Sequence, residues 1–243
     1  MIDFRKLLTS ILAMVLAGCA STYIPPGAKA DLQAMAPPGI REGFERKPTA
    51  PFPASVAAVR IQGAGYANQY VRQNGGVLGS GRYSVVLVRE FEQDTQLEAL
   101  SGLPQVAGIV SLNRLLVPAQ VNDDKDIREA ASRLQADLVF LYTFATEFFD
   151  INESRALTSI TLGFGSTKRI NVVTTASALL MDTRTGYIYS AYESTSKAEA
   201  KSSVWDSADS ADTLRRTTEK EAFGKLVDEV VKTWPRMLER YKK

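Results

Sequence analysis

Seven of the ten prolines in this chain fall between positions 25 and 53: Pro25, Pro26, Pro37, Pro38, Pro48, Pro51 and Pro53. Each fixes φ and removes a backbone donor, so this stretch can build neither a helix of any length nor a central strand. Regular structure must therefore begin after it, near Ser55. The stretch prefers extended, polyproline-like conformations, and about 35 such residues reach roughly 100 Å at ~3.1 Å each. That reads as a tether. Leu32, Met35, Ile40 and Phe44 also give it the means to dock on a neighbouring domain.

What precedes the prolines says what the tether is tied to. Met1 to Lys6 ends in Arg5-Lys6, and Leu7 to Leu16 is apolar apart from Thr9 and Ser10. Leu16-Ala17-Gly18-Cys19 follows. A basic start, a short apolar run and small residues describe a secretory signal, and a run this short does not span a bilayer. Cys19 is the only cysteine in the chain. Leu16-Ala17-Gly18-Cys19 resembles the bacterial lipobox, which implies cleavage between Gly18 and Cys19, diacylation (palmitate-type chains) of the Cys19 sulfur and N-acylation of the new terminus. Two or three acyl chains anchor a protein stably where one does not. Residue 20 is Ala rather than the Asp that tends to retain such proteins at the inner membrane, which favours an outer-membrane, periplasm-facing protein. The expected divisions are a signal peptide over 1–18, a proline-rich tether over 19–54 and one globular domain over 55–243.

Composition narrows the chemistry. Loss of residues 1–18 removes Asp3, Arg5 and Lys6 and takes the net charge from +2 to +1, which gives no electrostatic case for nucleic acid. There is no histidine. The commonest general base, the Ser-His and Cys-His pairs and the usual zinc ligands are therefore missing. With Cys19 acylated, disulfide and thiol chemistry are missing too. The expectation is a chain with no catalytic residues, no cofactor and no metal.

The domain reads as α/β, a mixed sheet with packed helices and a long C-terminal helix. Strands are expected over Ser55–Gln62, Tyr83–Phe91, Leu138–Tyr142, Asn171–Met181 and Tyr187–Glu193, with short helices at 66–73 and 93–103. Val106 to Val117 fits a helix or a strand ended by Pro118. A helix over Asp126–Ala136 starts at Asp123, Asp124 and Asp126, which suit the positive end of its dipole, and buries Ile127, Ala130, Ala131 and Leu134. It runs straight into an apolar strand, the α/β signature. Asp182-Thr-Arg-Thr-Gly186 is a hairpin turn. Ser194 to Asp212 carries no usable period. The terminal helix, Thr213 to Tyr241, has an apolar stripe of Phe223, Leu226, Val227, Val230, Val231, Trp234, Met237, Leu238 and Tyr241, with a kink expected at Pro235.

Four constellations invite a chemical reading. Gly75-Gly-Val-Leu-Gly-Ser-Gly81 lacks the Gly-Lys-Ser/Thr ending of a phosphate loop, and Gly163 to Lys168 fails its spacing. Asp123, Asp124 and Asp126 lack the ligand alternation of a calcium loop and are explained by helix capping. Glu90, Glu92 and Asp94 alternate, as two hydrolytic carboxylates or a solvated strand end would. Glu153 to Ile170, with Ile160-Thr-Leu-Gly-Phe-Gly165, alternates as a membrane hairpin or a solvent-facing one would.

The order of elements completes a resemblance. Ala136-Asp137 stands at the helix-to-strand junction, the Asp182–Gly186 hairpin follows, and the long helix closes the chain. This layout over roughly 55–240 resembles the lipoproteins related to the curli secretion channel CsgG and the penicillin-binding-protein activator LpoB. The resemblance implies a non-enzymatic α/β domain working with another envelope protein in assembly or secretion, with an oligomer possible. In CsgG two membrane hairpins per subunit form a pore, and 152–170 and 195–213 would correspond. The second carries Glu199, Lys201, Asp206, Asp209 and Asp212, which departs from a lipid-facing strand pair and favours a tethered regulator over a pore subunit. A carboxylate-dependent envelope hydrolase is the other alternative.

Overall fold

The computed structural model describes residues 25–35, 39–90, 92, 94–152, 167–203 and 207–241. Strand β1 (Ala54–Gly63), the first after the prolines, is buried along nearly its whole length and organises the sheet. One edge pairs in parallel with β7 (Leu138–Asn152), from Val56↔Leu138 to Val59↔Leu141. The other edge is divided. β5 (Val106–Ser111) lies parallel to Ala54–Ala58, and β4 (Tyr83–Val86) lies antiparallel to Arg60–Gly63. Beyond β7, β8 (Thr167–Asp182) and β9 (Ile188–Ser203) continue the sheet antiparallel. With β2 (Val77–Leu78) outside β4, this makes a seven-stranded mixed sheet. A separate pair joins β3 (Ser80–Gly81) to β6 (Gln120–Val121). The fold is α/β, as the sequence indicates.

The divided edge explains one departure. Tyr83 to Phe91 reads as one strand, but pairing stops at Arg60↔Val86 because β5 takes over β1 from Ala58. The chain therefore leaves the sheet, and the residues after Val86 are freed for another task. Val106 to Val117 resolves into a strand that ends at Ser111, well before Pro118. Ser194 to Asp212 departs more. β9 continues through Ser203, paired with Thr167, and a helix begins at Ser207. The 195–213 stretch thus contributes a strand and a helix, not two strands. Its Ser, Ala and charged residues alternate around a strand with one solvated face, a weak signal when the opposite face carries only small side chains.

Two helical layers cover the sheet. On one face α5 (Asp124–Arg133) buries Ile127, Ala130 and Ala131 against Ala57, Val59, Ile61, Val139 and Leu141. Asp123 caps it, accepting from the backbone N–H groups of Lys125 and Asp126. On the other face α6 (Ser207–Tyr241) lies along β7, β8 and β9, running through Pro235. Phe223 stacks near Tyr142 with ring centroids 5.0 Å apart, and the Trp234 indole N–H donates to the Pro104 carbonyl. Val231 alone of the expected stripe is 38% exposed. The short α3 (Gln69–Asn74), capped by Asn68, and α4 (Asp94–Ser101) fill the corners. No helix among the described residues is long and apolar enough to cross a membrane.

The proline-rich segment is attached at both ends. Lys29 bridges Gln62 in antiparallel sense, the Ala28 carbonyl accepts from Gly63 N, and Ala30 N donates to Thr143 Oγ1. Those residues fill the gap that opens where β7 leaves β1. Contrary to the expectation of no helix before Ser55, two short ones fit between the prolines: α1 (Leu32–Met35), where Met35 is buried with Leu32 beside it, and α2 (Ile40–Glu45), where Phe44 is 77% exposed. At the far end Thr49 and Ala50 are fixed to Asp182. The docked length greatly shortens the reach of the expected tether.

Candidate functional site

Cys19 and Gly18, the residues of the expected lipid attachment, lie outside the described residues, as does 153–166, most of the hairpin candidate. Within them, polar chemistry concentrates at two buried centres.

The first lies where α6 crosses the sheet. β1 reads Val-Ala-Ala-Val-Arg60-Ile, and Arg60 faces the interior under α6. Its guanidinium meets Glu92 at 3.2 Å, Glu219 at 3.7 Å and the Tyr66 hydroxyl at 3.0 Å, and sits 4.8 Å from the centre of the Phe144 ring. One turn of α6 away, Arg215, fully buried, donates to Glu219 at 2.9 Å, to Asp212 and to both oxygens of Glu90. Asn68 donates to Glu90 Oε2 at 3.2 Å and to the Tyr66 hydroxyl. The Glu90 backbone N–H and the Tyr142 hydroxyl donate to Glu92. Thr146 donates to Glu219, and a Thr146–Thr174–Thr218 hydroxyl chain runs on from it.

Burial at this centre opposes charge. It pushes the Glu219 carboxyl up, against the pull of Arg215 and Arg60. It pushes the Tyr142 hydroxyl far up, with Glu92 adding to the effect. For Arg60 and Arg215 burial works to lower the pKa, but the anionic partners outweigh it and both stand above the ordinary arginine value. Removing one partner from such a buried set costs about 3–5 kcal/mol because the other charge is left uncompensated.

Glu90 and Glu92 do not sit at a solvated strand end. They leave the sheet with the chain after Val86 and turn inward to neutralise guanidinium groups. The side chain of Glu90 is 2% exposed and that of Glu92 1%. An open cleft of about 430 Å³ passes over them, lined also by Arg89, Thr213, Arg216 and Lys220. Their oxygens accept from Arg215, Asn68, Arg60 and Tyr142, which describes structural ion pairing rather than an acid and a base flanking a scissile bond.

The second centre is the hairpin turn. Asp182, with no exposed surface, accepts from Thr49 N at 2.6 Å, Ala50 N at 2.8 Å, Arg184 N at 2.9 Å and Thr185 N at 3.1 Å, and from the hydroxyls of Thr49 and Tyr189. Burial alone would raise its carboxyl; the Thr49, Thr185 and Arg184 bonds outweigh it and hold the group below the ordinary aspartate value. Gly186 takes φ +70°, and its carbonyl accepts from Arg46. A Cβ there would stand 2.1 Å from Arg46 Nη1. Asp124 receives Arg128 at 2.7 Å and Arg46 at 3.3 Å, so it is a buried ion-pair partner rather than a helix cap. Asp126 instead accepts from Asn122 N. Arg184 reaches Asp137 at 2.9 Å, and Asp137 accepts from Ser55 N and Oγ. The Ala136-Asp137 junction and the Asp182–Gly186 turn, separate in the sequence, are thus parts of one clamp. It holds the start of β1, the end of the proline-rich segment and the β8–β9 turn together.

The sequence reading missed Arg60, Arg215, Glu219 and Asn68. Two signals were present. Arg60 interrupts an otherwise apolar strand, and Arg215, Glu219, Ala222 and Leu226 continue one helical face from charged to apolar. A search of known protein families finds no matching family, and no curated protein matches the chain.

Proposed function

We propose that this protein is an outer-membrane lipoprotein, acylated at Cys19 and facing the periplasm, whose single α/β domain binds another envelope protein and catalyses nothing. The observation that carries this reading is Leu16-Ala17-Gly18-Cys19 behind a basic start and a short apolar run, with no other cysteine in the chain. The two polar centres support the second half. Both are spent on holding elements together, and Glu90 and Glu92, the carboxylates best placed for a hydrolase, are bonded to Arg215 and Arg60. Partner binding has surfaces to use, among them an open groove of about 520 Å³ between the docked Lys29–Leu32 segment and Ser177, Leu179 and Glu193.

A second reading, a ring-forming secretion subunit, draws on one feature. Past Leu141 the β7–β9 ribbon leaves β1 and carries an unpaired β9 edge, among the described residues, that suits strand pairing between copies. Its outer face counts against a lipid-facing barrel wall, because Glu147, Glu193, Lys197 and Glu199 alternate along it. The test is metabolic labelling with an alkyne fatty acid and membrane fractionation of the protein and its Cys19→Ser variant. Label and membrane association lost in the variant support lipidation; label retained overturns it. Particle size in mild detergent separates the two readings, since rings of many subunits overturn the tethered adaptor.

A further inference from the structure

We infer that Asn74-Gly75 is a self-modifying bond: in the folded chain the Gly75 nitrogen closes on the Asn74 side chain, expels ammonia and leaves a carboxylate at the end of α3.

The glycine run that opens at Gly75 lacks the ending of a phosphate loop, but the residue in front of it has chemistry of its own. Of the six asparagines in the chain only Asn74 precedes a glycine. With no Cβ at position 75, nothing shields that backbone nitrogen or crowds the succinimide ring it would close. The fold leaves the bond open as well. Asn74 is the last residue of α3 and is exposed, and Gly75, at φ +67°, has open space where a Cβ would stand. Among the described residues the Gly75 N–H donates to no acceptor, so the attacking nitrogen is not held in a helical bond. The Asn74 side chain is held by its Nδ2, which donates to the Tyr70 carbonyl at 2.9 Å, and Nδ2 is the atom that leaves. Asn68 is the contrast. It is fully buried, its Oδ1 accepts from Val71 N, its Nδ2 donates to Tyr66 and Glu90, and a glutamine follows it.

The reaction balances with water alone. Hydroxide takes the Gly75 N–H proton, the nitrogen bonds to Asn74 Cγ, and Nδ2 leaves as ammonia with a proton from water, which restores the hydroxide. Water then opens the succinimide at either carbonyl. Breaking the Cγ–N bond gives aspartate at position 74. Breaking the bond from the main-chain carbonyl carbon gives isoaspartate, whose backbone runs through Cβ and Cγ and is one carbon longer. Either product exchanges a neutral donor for an anion. The Tyr70 carbonyl loses its partner, and the new charge stands at the negative end of α3. In isoaspartate the extra carbon enters between Val71, packed with Tyr66 and Val86, and Gly76, whose carbonyl accepts from Leu87 N at 2.7 Å. Both ends are held, so the last turn of α3 loosens.

The experiment incubates the full-length folded protein at mildly alkaline pH beside a sample unfolded in urea. The tryptic peptide Gln73–Arg82 is followed by mass spectrometry against a digest made at time zero. The expected result is conversion of Asn74 in the folded protein within several-fold of the unfolded rate, faster as pH rises, with Asn68 unchanged. An amide that persists in the folded protein while the unfolded chain converts completely overturns the inference, because the fold then protects the bond. Conversion of Asn68 or Asn113 at the same rate also overturns it, since the glycine and the open helix end would not be what selects the site. In the converted protein the amides of Gln69–Asn74 are expected to exchange with deuterium several-fold faster than in fresh protein. Asn74→Gln, which closes its larger ring far more slowly, should keep the slow exchange through the same incubation. Equal exchange before and after conversion overturns the loosening of α3.

Discussion

The Asp182 turn and the Arg215 centre are both buried, both built on carboxylates, and put together in opposite ways. Asp182 is satisfied largely by backbone N–H groups, two of them, from Arg184 and Thr185, within three residues of it. Such a turn forms locally and then captures Thr49 and Ala50. Arg215 has one set of partners on its own helix, Asp212 and Glu219, and one, Glu90, 125 positions away in sequence. Arg60 joins it from β1, and Glu92 from the same segment as Glu90. The first arrangement fixes a local shape. The second exists only when the sheet, the segment after β4 and α6 are all in place, so it reports on assembly of the whole domain. A local acceptor costs little to desolvate once dipoles surround it, whereas buried charges must all be matched together.

The largest test of that difference is Arg215→Leu. Stranding Glu90 and Glu219 is expected to lower stability by about 3–5 kcal/mol, seen as a melting temperature lower by roughly 6–20 °C in a domain of this size. A loss under about 1 kcal/mol would mean the cluster relaxes by admitting water. Asp182→Asn keeps the shape of the turn but removes the charge that four backbone donors share. A loss of about 2–3 kcal/mol is expected, together with faster tryptic cleavage after Arg46, since the nearby Thr49 and Ala50 lose their anchor; Pro48 protects the bond after Lys47. Unchanged cleavage would show that Arg46, through Asp124 and Gly186, holds the segment by itself.

Gly186→Ala probes the same clamp from the backbone. A left-handed φ and a Cβ pressed on Arg46 and Asp124 predict a loss of about 1–2 kcal/mol, read by urea denaturation, whereas Ala at the open Gly108 position should lose far less. The smallest effect is in pH dependence, where the two centres differ in sign. Glu219 has its carboxyl raised in the fold, so the unfolded chain releases that proton first. Its contribution to stability falls as pH rises from the ordinary glutamate value to the raised one. Asp182 has its carboxyl lowered, so its contribution falls as pH drops from the ordinary aspartate value to the lowered one. Glu219→Gln should flatten the first slope and Asp182→Asn the second in melts across the acidic range. The same sign in both variants would break the contrast.

Much of the fold was legible because its signals are short-range. The apolar runs at Ser55–Gln62 and Leu138–Tyr142, the capped helix at Asp123 and the Asp182–Gly186 turn each carry their cause within a few residues, and each forms where expected, although the second strand runs on to Asn152 and the helix spans Asp124–Arg133. The role of Glu90 and Glu92 was not legible. Alternation gave their spacing but not their surroundings, which depend on Arg60 in another strand and on Arg215 in the terminal helix. The extent of β9 was hidden for a related reason. Ser194 to Ser203 becomes a strand because β8 supplies a ladder for it, not because its side chains favour one.

By itself, then, the sequence determined where the sheet begins, since seven prolines forbid a central strand before it. It also offers no histidine and no second cysteine to pair with Cys19, and it determined that the domain mixes helix with strand. Only the tertiary structure decided which edge of β1 each strand occupies, that the proline-rich segment is docked at both ends, and that two arginines and three glutamates meet under α6. The physical reason is the range of the interactions. Backbone dihedrals and local hydrogen bonds are set by neighbours in the chain, whereas strand partners and buried charges are set by whichever distant group removes the same water.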